Sequence, residues 1–454
     1  MIIEKNHQEK SLLGYFVRGE ALKRLYDGVA TGIGLINSFL VITYLSVFNF
    51  GLYQLILAFV GILDGLNTGL LESVVGVDVR RHLNVDKKDS AKRLFLEYAV
   101  LKIGFAVILT TAVMFGAQLI AARYGEDIAL FVRIASLLML IRAIQSVQTV
   151  FFRAVLSFAH WSWPAIRECV KLALIIGFIF TGHFTIFQVV VAHVVAEAVA
   201  LVAVTIFGFI WAYRKVFSQV KAYSGYVITD LLRNQGWLLF VRYGFSKLAK
   251  NTMPWFVKIF INTEAVAFYS LAINLVAFIE NLMPLAGIEP IFALKADNPG
   301  EISFIFKRSV KYTLWLSAIM LIGALFLVPP LVTFIFPKYQ PSLLLFMVLA
   351  LALPLYGVYK LLKVVLTALR EQKILTMRIA NEVLIIPIGA VLCLPLFGLV
   401  GAGIVYIATY VERVWFFYSR LVRQYPEFRV KLRTLFMFDD VDKQYLARIL
   451  RRAN

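Results

Sequence analysis

The sequence contains little cysteine, little histidine and few charged residues. Its two cysteines, Cys169 and Cys393, both lie in apolar stretches, so neither a disulfide framework nor a cysteine metal site is predicted. The five histidines do not have the spacing of metal ligands. A phosphate-binding loop of the GxxxxGK[ST] type is also missing from the sequence, which excludes ATP hydrolysis by that route. The sequence therefore predicts a protein that is not an enzyme and that carries no metal or other cofactor.

Hydrophobic residues dominate the chain. They make up 61% of the 454 residues, against 16% charged residues, and the mean hydropathy is +0.80. Many apolar runs reach the roughly 20 residues that a helix needs to cross a bilayer. The runs are continuous and do not alternate with polar residues as the strands of a membrane barrel do. We therefore predict an all-α polytopic membrane protein.

The apolar runs predict about twelve transmembrane helices. Their predicted bounds are 25–47, 51–77, 94–122, 128–152, 166–182, 185–212, 237–261, 265–292, 309–336, 341–368, 379–397 and 398–420. Lysine and arginine collect in alternate loops, and the loops between them are short and almost uncharged. The net charge of +19 thus follows the positive-inside rule and does not indicate binding to nucleic acid. The pattern predicts a multi-pass protein of the inner (cytoplasmic) membrane with both termini in the cytoplasm.

One stretch of the first half of the chain is repeated in the second half. Gly51–Ser73 aligns with Ala267–Glu289 at an offset of 216, which places Asp64 on Glu280. Duplicated transmembrane units are a common way to build transporters. Two parallel repeats of six helices each are predicted. The predicted organisation is a cytoplasmic segment 1–24, an N-lobe 25–212, a cytoplasmic loop 213–236, a C-lobe 237–420 and a basic cytoplasmic tail 421–454.

The seventh predicted span carries several polar side chains on one face. Lys247, Lys250, Asn251 and Lys258 lie within about 60° of Lys247 around the helix. Lys250 lies about 20 Å into the helix, too deep for its side chain to reach the interface easily. The stripe predicts a water-filled cavity that binds an anion. The alternative is that each lysine pairs with an acid on a neighbouring helix, and snorkelling also explains Lys258 near the helix end.

Two further cations are predicted deep in the fourth and tenth spans. Arg142 and Lys360 are assigned to the same cationic cavity, because a buried cation needs either water or a partner. The alternative is packing against acids elsewhere in the two halves. These acids are Glu168, Glu197, Glu382 and Glu412. His193 and Glu197, one turn apart on the sixth span, are interpreted as a polar pair, with a proton relay as the alternative.

Four acidic residues are candidates for coupling transport to an ion gradient. They are Asp27 at the mouth of the first span, Asp64, Glu280 and Glu289. Buried carboxylates can bind and release H⁺ or Na⁺ near neutral pH. An H⁺ or Na⁺ gradient is therefore the predicted energy source. The alternative is that these carboxylates pair with the buried lysines.

Four short elements have the order and spacing of a known family. They are Phe50–Gly51–Leu52–Tyr53, Val266–Ala267–Phe268–Tyr269, Phe336–Pro337–Lys338–Tyr339 and Gly398–Leu399–Val400–Gly401–Ala402–Gly403–Ile404. Ala267 and Pro337 stand where the family usually has glycine. With these elements the chain resembles the Wzx-type polysaccharide flippases of the multidrug/oligosaccharidyl-lipid/polysaccharide (MOP) exporter superfamily, over about residues 20–420.

The resemblance implies a MATE-like fold of two six-helix lobes. It also implies a flippase that moves an undecaprenyl-diphosphate-linked oligosaccharide by alternating access, for a surface polysaccharide such as the O-antigen of lipopolysaccharide. The implied partners are this lipid-linked substrate, membrane lipids and polysaccharide polymerase machinery. A cationic cavity suits the diphosphate, because buried cations attract a polyanion strongly.

Two other functions are open alternatives. One is a cation-coupled multidrug antiporter of the same superfamily, whose binding site should be acidic and aromatic. The other is a membrane-embedded glycan polymerase or ligase, which should have large extracytoplasmic loops that carry catalytic residues.

Overall fold

The described part of the chain is helical throughout. A computed structural model describes residues 2–67, 71–124, 126–155, 157, 162–182, 184–226, 228–231, 237–283, 292, 299–369, 371–431 and 435. The α-helices are α1 (Ile2–Tyr44), α2 (Val47–Leu66), α3 (Leu71–Asn84), α4 (Lys88–Tyr124), α5 (Glu126–Ala154), α6 (Trp163–Phe180), α7 (Ile186–Val204), α8 (Ile210–Phe217), α9 (Ile228–Leu231), α10 (Trp237–Phe260), α11 (Thr263–Leu282), α12 (Pro299–Ile335), α13 (Ser342–Ala350), α14 (Leu353–Ala368), α15 (Gln372–Phe397) and α16 (Leu399–Gln424). A π-helical turn, Thr205–Phe209, joins α7 to α8. The predicted all-α fold is confirmed.

Many of these helices have the length and composition of membrane spans. Within the described ranges, nine helices are long and apolar enough to cross a membrane, or ten if the bent pair α13 and α14 is one span. Helices α6 and α10 are not among them. Both carry at least three charged residues, which lower the hydropathy of a span. The polytopic membrane architecture is confirmed, whereas the number twelve stays a prediction.

Two predicted spans are interrupted, which corrects their bounds. The predicted span 51–77 consists of α2 and α3, and Asn67 ends α2 with its backbone N–H on the carbonyl of Leu63. The predicted span 341–368 consists of α13 and α14, which are bent by 44° relative to each other. A helix end depends on capping and on packing as well as on composition. Continuous apolar runs therefore conceal such breaks.

The helix bounds reproduce the repeat that the sequence predicts. Shifting α2 by 216 residues gives the bounds of α11, and α1 and α10 end at residues with the same offset, 44 and 260. The two repeated helices also begin with the same kind of cap. The Ser46 side chain accepts from the N–H of Asn49, and the Asn262 side chain accepts from the N–H of Ala265 at 2.7 Å. The α4 and α12 helices, which follow later in each half, are both 37 residues long.

Contacts within the chain define two compact units. The first is Met1–Phe268 and the second is Tyr269–Asn454. The boundary falls within α11, and α10 packs along α2 within the first unit. The predicted lobes instead separate at 213–236. The division into six-helix lobes rests on the repeat and stays a prediction.

Each unit has an aromatic core. In the first unit Phe151 is fully buried between Phe95 of α4 and Phe217 of α8, with ring centroids 5.5 and 5.8 Å away. In the second unit Phe428 packs on Phe306 of α12, with ring centroids 5.7 Å apart. Edge and tilted contacts of this kind add to the free energy gained from burial.

The predicted basic tail begins inside a helix and then packs on α12. Helix α16 continues to Gln424, and a short 3₁₀ turn, Pro426–Phe428, buries Phe428. The indole nitrogen of Trp315 donates to the carbonyl of Leu435 at 3.0 Å. The start of the tail is therefore anchored to the second unit. The residues after Leu435 lie outside the described residues.

Candidate functional site

Helix α10 carries the predicted cationic stripe. Asn251 lies directly against α2, because a Cβ added to Gly61 would meet its Oδ1 at 2.7 Å. Lys258 is partly buried and donates to the hydroxyl of Thr263, the first residue of α11. The side chains of Lys247 and Lys250 lie outside the described part of the structure. Membership of all four residues in one anion-binding cavity stays a prediction.

Arg142 forms an ion pair with a buried glutamate. Its Nε lies 3.8 Å from Oε1 of Glu197, a side chain of α7 that is 1% exposed. Arg167 of α6 also reaches Glu197, at 3.3 Å. Gln145 Nε2 and Trp163 Nε1 donate to Oε2 of the same carboxylate at 2.8 and 3.0 Å. The structure therefore shows the alternative in which Arg142 packs against Glu197.

A second carboxylate extends this cluster towards α1. Glu168 of α6 lies 2.8 Å from Nη2 of Arg167 and accepts from Nδ2 of Asn37 at 2.8 Å. Asn37 is fully buried, and its Nδ2 also donates to the carbonyl of Glu168 at 3.0 Å. The cluster thus joins α1, α5, α6 and α7 and contains two arginines and two carboxylates. Its formal charge is balanced.

His193 does not pair with Glu197, the partner that the sequence suggested. The hydroxyl of Tyr53 on α2 lies 3.1 Å from Nδ1 of His193 on α7. Glu197 is held by arginine, glutamine and tryptophan donors. A proton relay between His193 and Glu197 therefore has no direct hydrogen bond among the described contacts. Tyr53 is a residue of the family-like elements, and this contact ties α2 to α7.

The second unit contains its own polar cluster, around Glu280. The carboxylate of Glu280 on α11 accepts from the hydroxyls of Tyr406 and Tyr410 on α16, at 2.8 and 3.4 Å. The ring of Tyr410 meets that of Tyr356 with centroids 6.0 Å apart. Lys360 Nζ lies 5.4 Å from the centroid of the Tyr356 ring. Glu280, predicted as an ion-coupling residue, and Lys360, predicted as a substrate-binding residue, therefore lie in one cluster.

A second ion cluster of this unit lies between α15 and α16. Glu382 is bound by Arg378 and Arg413, and Glu412 accepts from Asn381 at 2.9 Å. Arg413 also lies over the ring of Tyr410, 4.6 Å from its centroid. Glu382 thus balances part of the charge of the two arginines within the unit.

The remaining acidic candidates have varied surroundings. Asp27 is exposed on α1, and Asp64 is partly buried near the end of α2. Glu289 lies outside the described residues. Within the described ranges, no group of three or more histidine, cysteine or carboxylate side chains is arranged to hold a metal ion. The ion-coupling role of these acids stays a prediction.

Sequence reasoning missed the buried charge of Lys102. Lys102 of α4 is 4% exposed and binds both the carbonyl of Asn67 and the carboxylate of Glu72, whose Oε1 is 3.3 Å away. The sequence does indicate a buried charge here, because Lys102 lies inside the predicted span 94–122. Its partner could not be read from the sequence, since Glu72 is 30 residues away.

Comparison with known proteins identifies the family. A family model described as polysaccharide biosynthesis protein matches residues 24–292, more than half of the chain. The chain belongs to the polysaccharide biosynthesis protein family. The resemblance to Wzx-type flippases of the MOP superfamily is thereby confirmed. A comparison of this chain with curated proteins found no match.

Solved structures of the MOP superfamily share the fold of this family member. The lipid II flippase MurJ, in an inward closed conformation, matches with a TM-score of 0.69 and 14% identity over 95% of this chain and 96% of its own. An inward-facing multidrug resistance MATE family transporter of the MOP superfamily matches with a TM-score of 0.68 and 14% identity, over 89% and 95%. A point mutant of the Vibrio cholerae MATE transporter VcmN matches with a TM-score of 0.61 and 16% identity, over 92% and 99%. At these identities the likeness shows the fold alone.

Proposed function

We propose that this chain is a flippase that moves an anionic lipid-linked oligosaccharide across the cytoplasmic membrane by alternating access. The substrate is an undecaprenyl-diphosphate-linked glycan for a surface polysaccharide such as O-antigen, which polysaccharide polymerase machinery then uses. The observation that carries the proposal is the family match over residues 24–292. One structural neighbour is itself named a lipid II flippase, a protein that handles a lipid-linked substrate.

The charge pattern of α10 supports an anionic substrate. Lys247 and Lys250 lie in a helix whose repeat partner, α1, has no lysine or arginine between residues 25 and 44. Cations in a water-filled membrane cavity attract a diphosphate strongly at low dielectric. Arg142 contributes less to such a cavity, because Glu197 balances its charge. Lys247 and Lys250 are therefore the main residues proposed to bind the diphosphate, with Asn251, Lys258 and Lys360 as secondary ones.

An ion gradient is the proposed energy source. Glu280 is the best placed of the acidic candidates, because its carboxylate accepts from two tyrosine hydroxyls and the cluster includes Lys360. A carboxylate that exchanges H⁺ or Na⁺ would change its bonds to Tyr406 and Tyr410, and so would affect the contact between α11 and α16. Asp27 and Asp64 are weaker candidates for this role.

A multidrug antiporter is the second candidate function. It is favoured by the MATE transporters among the structural neighbours and by the carboxylate of Glu280 with the tyrosines around it. The lysines of α10 disfavour it, because an organic cation would be repelled there. A glycan polymerase or ligase is less well supported. The turns between α1 and α2, α10 and α11, and α15 and α16 are too short to carry a catalytic site.

The combined Lys247→Ala and Lys250→Ala variant tests the proposed substrate. We expect surface glycan export to fall by about tenfold or more, because a lost hydrogen bond to a charged group costs about 1.5–3 kcal/mol. Export is measured as surface polysaccharide in cells that depend on this chain, at equal amounts of membrane-inserted protein. Lys373→Ala, which removes an exposed lysine at the start of α15, is the matched control and should leave export unchanged.

The same variant separates the two candidate functions. Normal glycan export without Lys247 and Lys250 would contradict the cationic site. An antiporter should instead keep its resistance to organic cations in the lysine variant and lose that resistance with Glu280→Gln.

A further inference from the structure

The break between α2 and α3 creates a negatively polarised helix end inside the first unit. Helix α2 ends at Leu66, and α3 begins at Leu71. The last carbonyl groups of a helix have no partner within the helix and carry the negative end of its dipole. Asn67, the residue that caps α2, is 1% exposed. A buried helix end of this kind requires a hydrogen-bond donor or a cation.

The ammonium group of Lys102 occupies this position. It donates to the carbonyl oxygen of Asn67 and lies 3.3 Å from Oε1 of Glu72, in the first turn of α3. Ser146 of α5 donates to the same carboxylate oxygen and is hydrogen-bonded to the hydroxyl of Tyr98 at 2.9 Å. A positive charge is therefore held between a helix end and a carboxylate, in a place that is 4% exposed.

The groups that surround this ammonium are oxygen ligands. They are the main-chain carbonyl of Asn67 and the carboxylate of Glu72, both ligand types that hard cations prefer. The hydroxyl of Ser146 binds the carboxylate and so fixes its position. In discontinuous membrane helices, unwound carbonyls and helix ends coordinate Na⁺. The side chain of Asn67 is a further observation: it is buried, and neither its nitrogen nor its oxygen has a hydrogen-bond partner among the residues that the structure describes. Buried amides are almost always satisfied, so one without a partner points to a ligand position.

We propose that Asn67 and Glu72 form a monovalent-cation site, in which Ser146 positions the carboxylate, and that the ammonium of Lys102 is its built-in occupant. The amine carries the same charge as Na⁺ or K⁺ and is tethered to α4, so the site needs no dissolved ion. Removing the amine leaves the partly buried carboxylate of Glu72 without its counter-charge, which is unfavourable. A small dissolved cation should then bind in its place. For transport, this predicts that wild-type glycan export needs no Na⁺ bound at this site, and that prediction rests on the proposed function.

Lys102→Ala tests the site without any transport measurement. Thermal unfolding of the purified protein is followed in NaCl and in choline chloride at equal ionic strength. We expect the unfolding temperature of the variant to rise by a few degrees with increasing NaCl, because an ion that binds only the folded state stabilises it. The wild-type protein should show no difference between the two salts. A variant that responds equally to both salts would overturn the proposal.

A second variant controls for failure to fold. The combination of Lys102→Ala with Glu72→Gln removes both charges, so it should fold without a cation and should show no specific response to NaCl. A sodium response that persists in this double variant would overturn the proposal. So would a Lys102→Ala protein that is lost in both salts while the double variant is recovered.

The transport arm distinguishes the site from the proposed function. If the site is correct and the chain is a flippase, replacing NaCl by choline chloride should reduce glycan export by Lys102→Ala more than it reduces export by the wild-type protein. The two proposals can fail separately. If Na⁺ stabilises Lys102→Ala but the wild-type protein exports no glycan, the site is supported and the proposed function is contradicted.

Discussion

At the scale of single residues, the buried carboxylates of the first unit are neutralised by nearby arginines. Arg142 and Arg167 meet Glu197, and Arg167 also meets Glu168. Removing an ion from water costs several kcal/mol even inside a relaxed protein, so such a charge persists only when it is paired and hydrogen-bonded. The depth of a charge in a span is therefore not sufficient to assign it to a substrate site.

Glu197→Gln should destabilise the protein. Arg142 and Arg167 would lose their common carboxylate, and breaking a buried pair costs about 3–5 kcal/mol. Thermal unfolding in detergent measures this as a lower midpoint. Glu264→Gln, an exposed acid at the start of α11, is the control and should change the midpoint little. An unchanged midpoint for Glu197→Gln would show that the cluster does not hold α5, α6 and α7 together.

The residue scale also shows where sequence reasoning stops. From the sequence, Lys102 lies inside a predicted apolar span. Glu197 was also one of the predicted alternative partners of Arg142. The sequence could not pair Lys102 with Glu72, because the direction of the Glu72 side chain depends on the break after Asn67. A contact between distant residues depends on how their helices pack, and helix periodicity alone does not specify that packing.

At the scale of helices, the two copies of the repeat meet at their equivalent ends. A Cβ added to Gly51 would lie 2.1 Å from the carbonyl oxygen of Thr263 and 3.2 Å from the nitrogen of Ala267. Residues 51 and 267 are equivalent under the offset of 216. The α2 start and the α11 start therefore approach closely because one of the two positions lacks a Cβ.

Gly51→Ala should push α2 away from the turn before α11. The added methyl group meets main-chain atoms that have little freedom to move, so we expect a loss of about 1–3 kcal/mol of stability. Gly116→Ala on α4 is the matched control, since a Cβ there meets nothing within 4 Å. That control should be neutral or slightly stabilising, as alanine favours helix over glycine by up to about 1 kcal/mol. Equal midpoints for the two variants would contradict the close approach.

At the scale of the whole molecule, the chain has two features: a sequence repeat, and a difference in charge between the two copies of one repeated helix. The repeat appears in the bounds of α2 and α11 and in the equal lengths of α4 and α12. The cationic residues of α10 have no counterpart in α1. This asymmetry fits the flippase proposed above, in which the second copy of the repeat would supply the cations for an anionic substrate.

The predicted orientation in the membrane can be tested by cysteine labelling. In a background where Cys169 and Cys393 are replaced by serine, Thr181→Cys and Lys338→Cys should react with a membrane-impermeant maleimide in intact cells. Lys87→Cys and Lys373→Cys should react only after permeabilisation, because basic loops stay in the cytoplasm. All four native residues are exposed in the structure. Labelling of Lys87→Cys in intact cells would contradict cytoplasmic termini.

Composition and residue order were enough to establish the helical membrane class, the repeat offset and the family-like elements, because a bilayer imposes length and apolarity on each span. Three other features became known only from the packed helices: Arg142 is paired, α2 ends at Asn67, and Lys102 fills the break. The physical reason is that a buried charge is stabilised by groups from other helices, and their distances depend on packing between residues far apart in the chain.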